Sequence, residues 1–140
     1  MKYKILLAIT STFLFLSGCN NVDFNKSINK DVLEKTNKWY EIDSTRDIYQ
    51  TFKFTDNKLI KDVYNDKDFS ELIDTKSYDI DYISDDKFNI VKDGVIYTCD
   101  PNTCNKDEYV IIGCKANESG VKDLLYCGWN NKDKAKTNMQ

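Results

Sequence analysis

The chain has 140 residues, 20 lysines and arginines against 23 aspartates and glutamates, no histidine and a net charge of −3. A mildly acidic chain with a single arginine, Arg46, is a poor partner for nucleic acid. The missing histidine removes the commonest general base and the Ser-His and Cys-His nucleophile pairs, and the five scattered glycines form no phosphate-binding loop. No enzymatic activity, catalytic residue or cofactor is expected.

The N-terminal segment has the three parts of an export signal. Lys2 and Lys4 supply positive charge, Ile5 to Leu16 is an uncharged run, and Ser17 and Gly18 are small. The run falls short of the roughly 20 residues a membrane-spanning helix needs. It ends on Leu16-Ser17-Gly18-Cys19, which resembles the bacterial lipobox. That resemblance implies diacylglycerol on the sulfur of Cys19, cleavage after Gly18, and acylation (palmitate among the chains) of the new amine. Several acyl chains anchor stably where one would be marginal. Asn20 after the cysteine implies the outer membrane where a cell has two. Taking 18 residues from 140 leaves 122, and losing two lysines moves the charge from −3 to −5. Such a body is repelled by anionic headgroups, so lipid alone would hold it to the membrane. The expected division is a signal at 1–18, a lipidated tether at 19–30, a β domain at 31–129 and a polar tail at 130–140.

Asn20 to Asn29 is polar and without periodicity, as a tether would be. Asp31 to Thr36 predicts a short helical turn. From there the period is two. In SYDIDYIS, Tyr78, Ile80 and Tyr82 point one way and Ser77, Asp79 and Asp81 the other. In IYQTFKF, Ile48, Phe52 and Phe54 share a face, with Gln50 the polar exception on it. Eight short segments follow one another: KWYEID, DIYQTFKF, KLIKDVY, SYDIDYI, KFNIV, GVIYTC, EYVIIGC and LLYCGW. The connectors TDN, SDD and KDG carry turn chemistry, and Lys92-Asp93-Gly94 is the best hairpin signal. FSELI, Phe69 to Ile73, reads as helical. The tail after Trp129 reads as frayed. The expected fold is mainly β: an antiparallel meander of about eight strands, closed or nearly closed into a barrel that hides its edges, with a β-sandwich as the alternative.

KWYEID after a helical turn resembles the opening of lipocalins and lipocalin-like domains, whose first strand carries Gly-x-Trp, often followed by Tyr-Glu. Asn37 stands where the glycine belongs, and Trp39 with Tyr40-Glu41-Ile42 matches. YQTFKFTDNKLI is similar to the second hairpin of short bacterial lipocalin-like domains. The resemblance implies a small barrel with Trp39 as a structural plug at one end.

Four cysteines remain besides Cys19: Cys99, Cys104, Cys114 and Cys127. In an exported chain they read as two disulfides. Asp100-Pro101-Asn102-Thr103 is a turn sequence that would bring Cys99 to Cys104, and a reversal near Gly120 would bring Cys114 to Cys127. Crossed pairings are the alternative. The spacing fits neither a zinc site nor a redox pair, so no metal is expected. The acid pairs Asp79/Asp81 and Asp85/Asp86 read as solvated surface.

An anchored, stapled, histidine-free β domain reads as a non-enzymatic binding protein of the envelope or surface, presenting tyrosine-rich loops or a strand edge to a protein partner or acting as an inhibitor. The alternative is a lipocalin-like carrier of a small lipophilic ligand. The inward set Phe52, Phe54, Tyr78, Ile80, Tyr82, Phe88 and Ile90 should fill an eight-stranded barrel, and a cavity above about 300 Å³ would favour the carrier instead.

Overall fold

The computed structural model describes residues 28–104 and 108–138. The signal, Cys19 and most of the tether lie outside those residues. Eight strands run β1 (Trp39–Asp43), β2 (Ile48–Thr55), β3 (Lys58–Tyr64), β4 (Leu72–Ser84), β5 (Lys87–Lys92), β6 (Val95–Cys104), β7 (Tyr109–Ala116) and β8 (Leu124–Trp129). Each pairs antiparallel with the next, and β8 returns to β1, which closes the barrel. A sandwich is thereby excluded.

Two hairpins follow directly from their turn residues. Thr55 pairs with Lys58 across Asp56 and Asn57 (φ 49 and 58), and Lys92 pairs with Val95 across Asp93 and Gly94 (φ 52 and 78). Two successive positive φ values match the right-handed twist of the flanking strands, and Asn, Asp and Gly tolerate them best.

Alternation sends one face of every strand into the lumen. The rings of Phe54 and Phe88, from β2 and β5, meet with centroids 5.6 Å apart, and Phe52 of β2 meets Tyr126 of β8 at 5.9 Å. Rings that touch from non-adjacent walls fill the space between them. All seven expected inward residues belong to this core or pack against it. A six-residue helix, α1 (Lys30–Lys35), is capped by Asn29 and contributes the fully buried Leu33 to the same core. Trp39, at the start of β1, is also fully buried there. Gly128 of β8 runs against it: a Cβ at Gly128 would stand 3.2 Å from the Trp39 Cβ and 3.0 Å from the Phe52 ring.

Four expectations are corrected. FSELI is not helical. Asp66 accepts hydrogen bonds from the Asp68 and Ser70 amides and the Ser70 hydroxyl, Phe69 takes φ 54, and β4 begins at Leu72. The tail is not simply frayed. Lys132–Thr137 forms a second helix, α2, capped by Asn131, with Ala135 buried.

Asp100 to Thr103 is not a reversal either, because β6 runs straight through it, with Pro101 opposite Ile112. Cys99 and Cys104 are therefore five residues apart on an extended strand, roughly 16 Å, with side chains on opposite faces. Cys99 instead faces Cys114 across β6 and β7, and these two form the disulfide, with Cα atoms 4.0 Å apart. The expected Cys114–Cys127 bridge also fails on register. Cys114 sits opposite Leu124, while Cys127 sits opposite Ile111, displaced by three residues and on the other face. Cys127 is a free, buried thiol; Cys104 is not free.

Candidate functional site

The barrel closes unevenly. Seven of its eight seams are long ladders, whereas among the described residues β1 and β8 share one register pair, Tyr40 with Trp129. Past that pair the strands diverge. The gap is a cleft of about 330 Å³ that runs from the seam to the outer wall. Glu41, Ile42 and Asp43 line one side, and Leu124, Leu125 and Cys127 the other, while Trp129 and Tyr109 flank it and Ala135 of α2 borders it.

The outer wall here is a second, smaller core. Ile42, Cys104, Tyr109, Ile111, Cys127, Trp129 and Ala135 cluster outside the barrel, with Tyr40, Tyr49 and Phe69 packed against them. Tyr109 and Trp129 meet at a tilt of 56° with centroids 4.8 Å apart, and Tyr40 meets Phe69 edge-on at 5.1 Å. Parts distant in sequence hold this layer on. Lys136 of α2 pairs with Asp68 of the β3–β4 loop at 2.5 Å, and Lys134 pairs with Glu108, which immediately precedes β7.

A polar pair lies on the other, lumen-facing side of the same strands, two residues along from the buried Trp39 and Phe52. Glu41 and Gln50 are register partners, and Gln50 Nε2 donates to Glu41 Oε1 at 2.6 Å. The polar residue on the inner face of IYQTFKF thus has a structural reason: it answers the glutamate across the ladder. Burial lifts the Glu41 carboxyl to about 7, against the opposing pull of Gln50 and Arg46. Cys127 is pushed up to about 12, by burial first and by the nearby Glu41 second, so its thiol stays protonated at neutral pH. Burial also raises Tyr109, which hydrogen-bonds Cys127. At the rim, Arg46 Nε binds Asp43 at 2.5 Å and Asp43 also accepts from Thr45; these bonds hold the Asp43 carboxyl low despite its burial.

The other residues singled out in the sequence lie elsewhere. Trp39, expected as a plug, and the Cys99–Cys114 disulfide belong to the lumen core. Asp79 and Asp81 face solvent, with Asp79 paired to Lys58 at 2.6 Å, and Asp85 is exposed in the β4–β5 turn. Among the described residues, no three of His, Cys, Asp and Glu converge as a metal site would require. Sequence reasoning missed Glu41, Tyr109 and Trp129 as site residues. A signal existed for the last two: YVII and LYCGW are continuous rather than alternating, the pattern of strands covered on both faces. No protein-family model, curated protein or solved structure matches the chain.

Proposed function

We propose that this chain is a lipid-anchored, non-enzymatic binding protein of the bacterial envelope that takes a small ligand in the β1–β8 cleft. The cleft carries the reading. At about 330 Å³ it passes the size of about 300 Å³ at which small-molecule sites begin, and it combines aromatic walls with a few placed polar groups. It lies in the wall, not in the filled lumen, so it departs from the carrier reading in position. The export signal and the lipobox cysteine, Cys19, support the address, and the lipid on Cys19 would be the membrane contact.

Two measurements test the two halves. Cys19→Ala should abolish labelling by a radioactive fatty acid; continued labelling defeats the anchor. Native mass spectrometry of the full chain released from envelope should show a small adduct that Leu125→Arg, at the rim of the cleft, removes. An adduct retained by that variant defeats the cleft as its seat.

A protein partner is the second reading. It is favoured by Val91 and Ile96, cross-strand neighbours on the outer wall that are 47% and 41% exposed.

A further inference from the structure

The two ends of the barrel differ in how the chain reaches them. Odd-numbered strands run away from α1 and even-numbered strands run back. The near end therefore holds α1 with the β2–β3 and β4–β5 turns, and the far end holds the four other connections that join odd strands to even ones. The chain is fastened at the near end. The Ile28 amide donates to the Pro101 carbonyl at 3.1 Å, and the Lys30 amide donates to the Asp85 carbonyl at 2.7 Å. The side chains of Ile28 and Leu33 are buried in the lumen core. The cleft faces the other way. Its zipped limit, Tyr40 with Trp129, joins the second residue of β1 to the last of β8, on the near side. Beyond that pair the strands part, and Arg46, Lys122 and Asp123 of the far-end connections complete the lining.

Resting on the lipid anchor and the cleft reading above, we infer that the lipid bilayer lies against the α1 end of the barrel, and that the cleft opens away from it and takes its ligand from water. Cys19 stands nine residues before Ile28 (28 minus 19). An extended chain covers at most about 3.6 Å per residue, so that link reaches about 32 Å at its limit. To seat the far end on the bilayer, the link would have to run back beside β6 from Pro101 to Val95, which takes about 20 Å of that reach. Holding a chain drawn out costs entropy, whereas contact at the near end asks for no extension. The far end has apolar side chains to offer, since Leu72, Ile73, Val91 and Ile96 are exposed in the far halves of their strands. Its connections STRD, NDKDFSE, DG and NESGVKD nevertheless hold seven acidic residues against three basic ones, which anionic headgroups repel. The near end needs no attraction of its own, because the lipid brings it there. Its contact surface is α1, the β4–β5 turn and the exposed Ile83 beside that turn.

The test uses the full lipidated chain, labelled with ¹⁵N, in nanodiscs of phosphatidylethanolamine and phosphatidylglycerol that carry a gadolinium-chelate lipid. Broadening of an amide signal by gadolinium falls steeply with distance from the headgroups. The Lys30 and Asp86 amides should lose most of their intensity, while those of Gly94 and Gly120 at the far end keep theirs. Greater loss at Gly94 and Gly120 would seat the bilayer on the apolar far end, and equal loss would mean no preferred end; either overturns the inference and leaves the anchor standing. Loss at Lys122 and Asp123 together with Lys30 would turn the cleft toward the lipid and defeat the aqueous route. Cys19→Ala should show no broadening at either end. The same graded pattern in that variant would remove the anchor reading, and with it the argument from the link. A wild-type chain that does not join the nanodiscs removes both.

Discussion

The lumen and the outer patch over β1, β7 and β8 are both apolar and aromatic, yet they are built in opposite ways. The lumen is made by alternation alone. Each strand contributes its inner face, the rings meet across the barrel, and the disulfide joins register partners within it. The outer patch is assembled from pieces: two strands covered on both faces, a loop residue, Phe69, and a helix from the tail. The lumen core includes Trp39, and the polar groups that face it near the seam, Glu41 and Gln50, satisfy each other. The patch borders an incompletely zipped seam and places a thiol and a tyrosine hydroxyl beside a cleft that Glu41, from the inner face of β1, also lines. A barrel of this size gains stability from its inside and has room for binding only where its wall is imperfect.

Substitutions can test that contrast, beginning with the largest effect. Trp39→Ala should cost about 3–5 kcal/mol, the range for removing a large aromatic from a packed core. Leu125→Ala, at an exposed rim position, should stay within about 0.5 kcal/mol. Chemical denaturation followed by circular dichroism measures both. Equal midpoints for the two variants would deny that the lumen carries the stability.

The disulfide comes next. Its cysteines are 15 residues apart, and a closed loop of that length is worth about 3 kcal/mol through the unfolded chain. The double variant Cys99→Ala/Cys114→Ala should lose that amount, and non-reducing peptide mapping of the wild type should recover a peptide joining Cys99 to Cys114. A peptide joining Cys114 to Cys127 would overturn the register of β7 and β8.

The seam should show itself as a pH dependence. Glu41 holds its proton in the folded chain up to about 7, while an unfolded glutamate releases it near 4.5. Its folded value is the higher one, so stability is greatest below 4.5, falls as pH rises to about 7, and is level above that. The fall should be on the order of 3 kcal/mol. Asp43 acts in the opposite direction at lower pH: its folded value is depressed, so its contribution is lost as pH falls below the ordinary aspartate range. Glu41→Gln should flatten the profile between pH 4.5 and 7 and be the more stable protein at pH 8. A wild-type profile that is already flat would place Glu41 in contact with bulk water. The smallest effect belongs to Cys127→Ala, about 1 kcal/mol, since it leaves the lumen untouched.

Much of this fold was legible one residue at a time. Period two marked the strands and separated inner from outer faces. Asp56-Asn57 and Asp93-Gly94 specified hairpins through the backbone angles they accept. The apolar residues at alternate positions were enough to name the lumen. These features are local, because a turn or an alternating face depends on neighbours a few residues away. Register was not local. Whether Cys99 met Cys104 or Cys114 depended on β6 continuing through Pro101, and that was decided by the eight pairs it makes with β7. Gln50 looked misplaced in its own strand, and only its direct opposition to Glu41 makes the two a pair. The polar tail became a helix because Ala135 found an apolar wall and Lys134 and Lys136 found acids on two other segments. Closure of the barrel then left β1 and β8 joined at a single pair, and the cleft exists because of that mismatch between two strand ends that lie far apart in the chain.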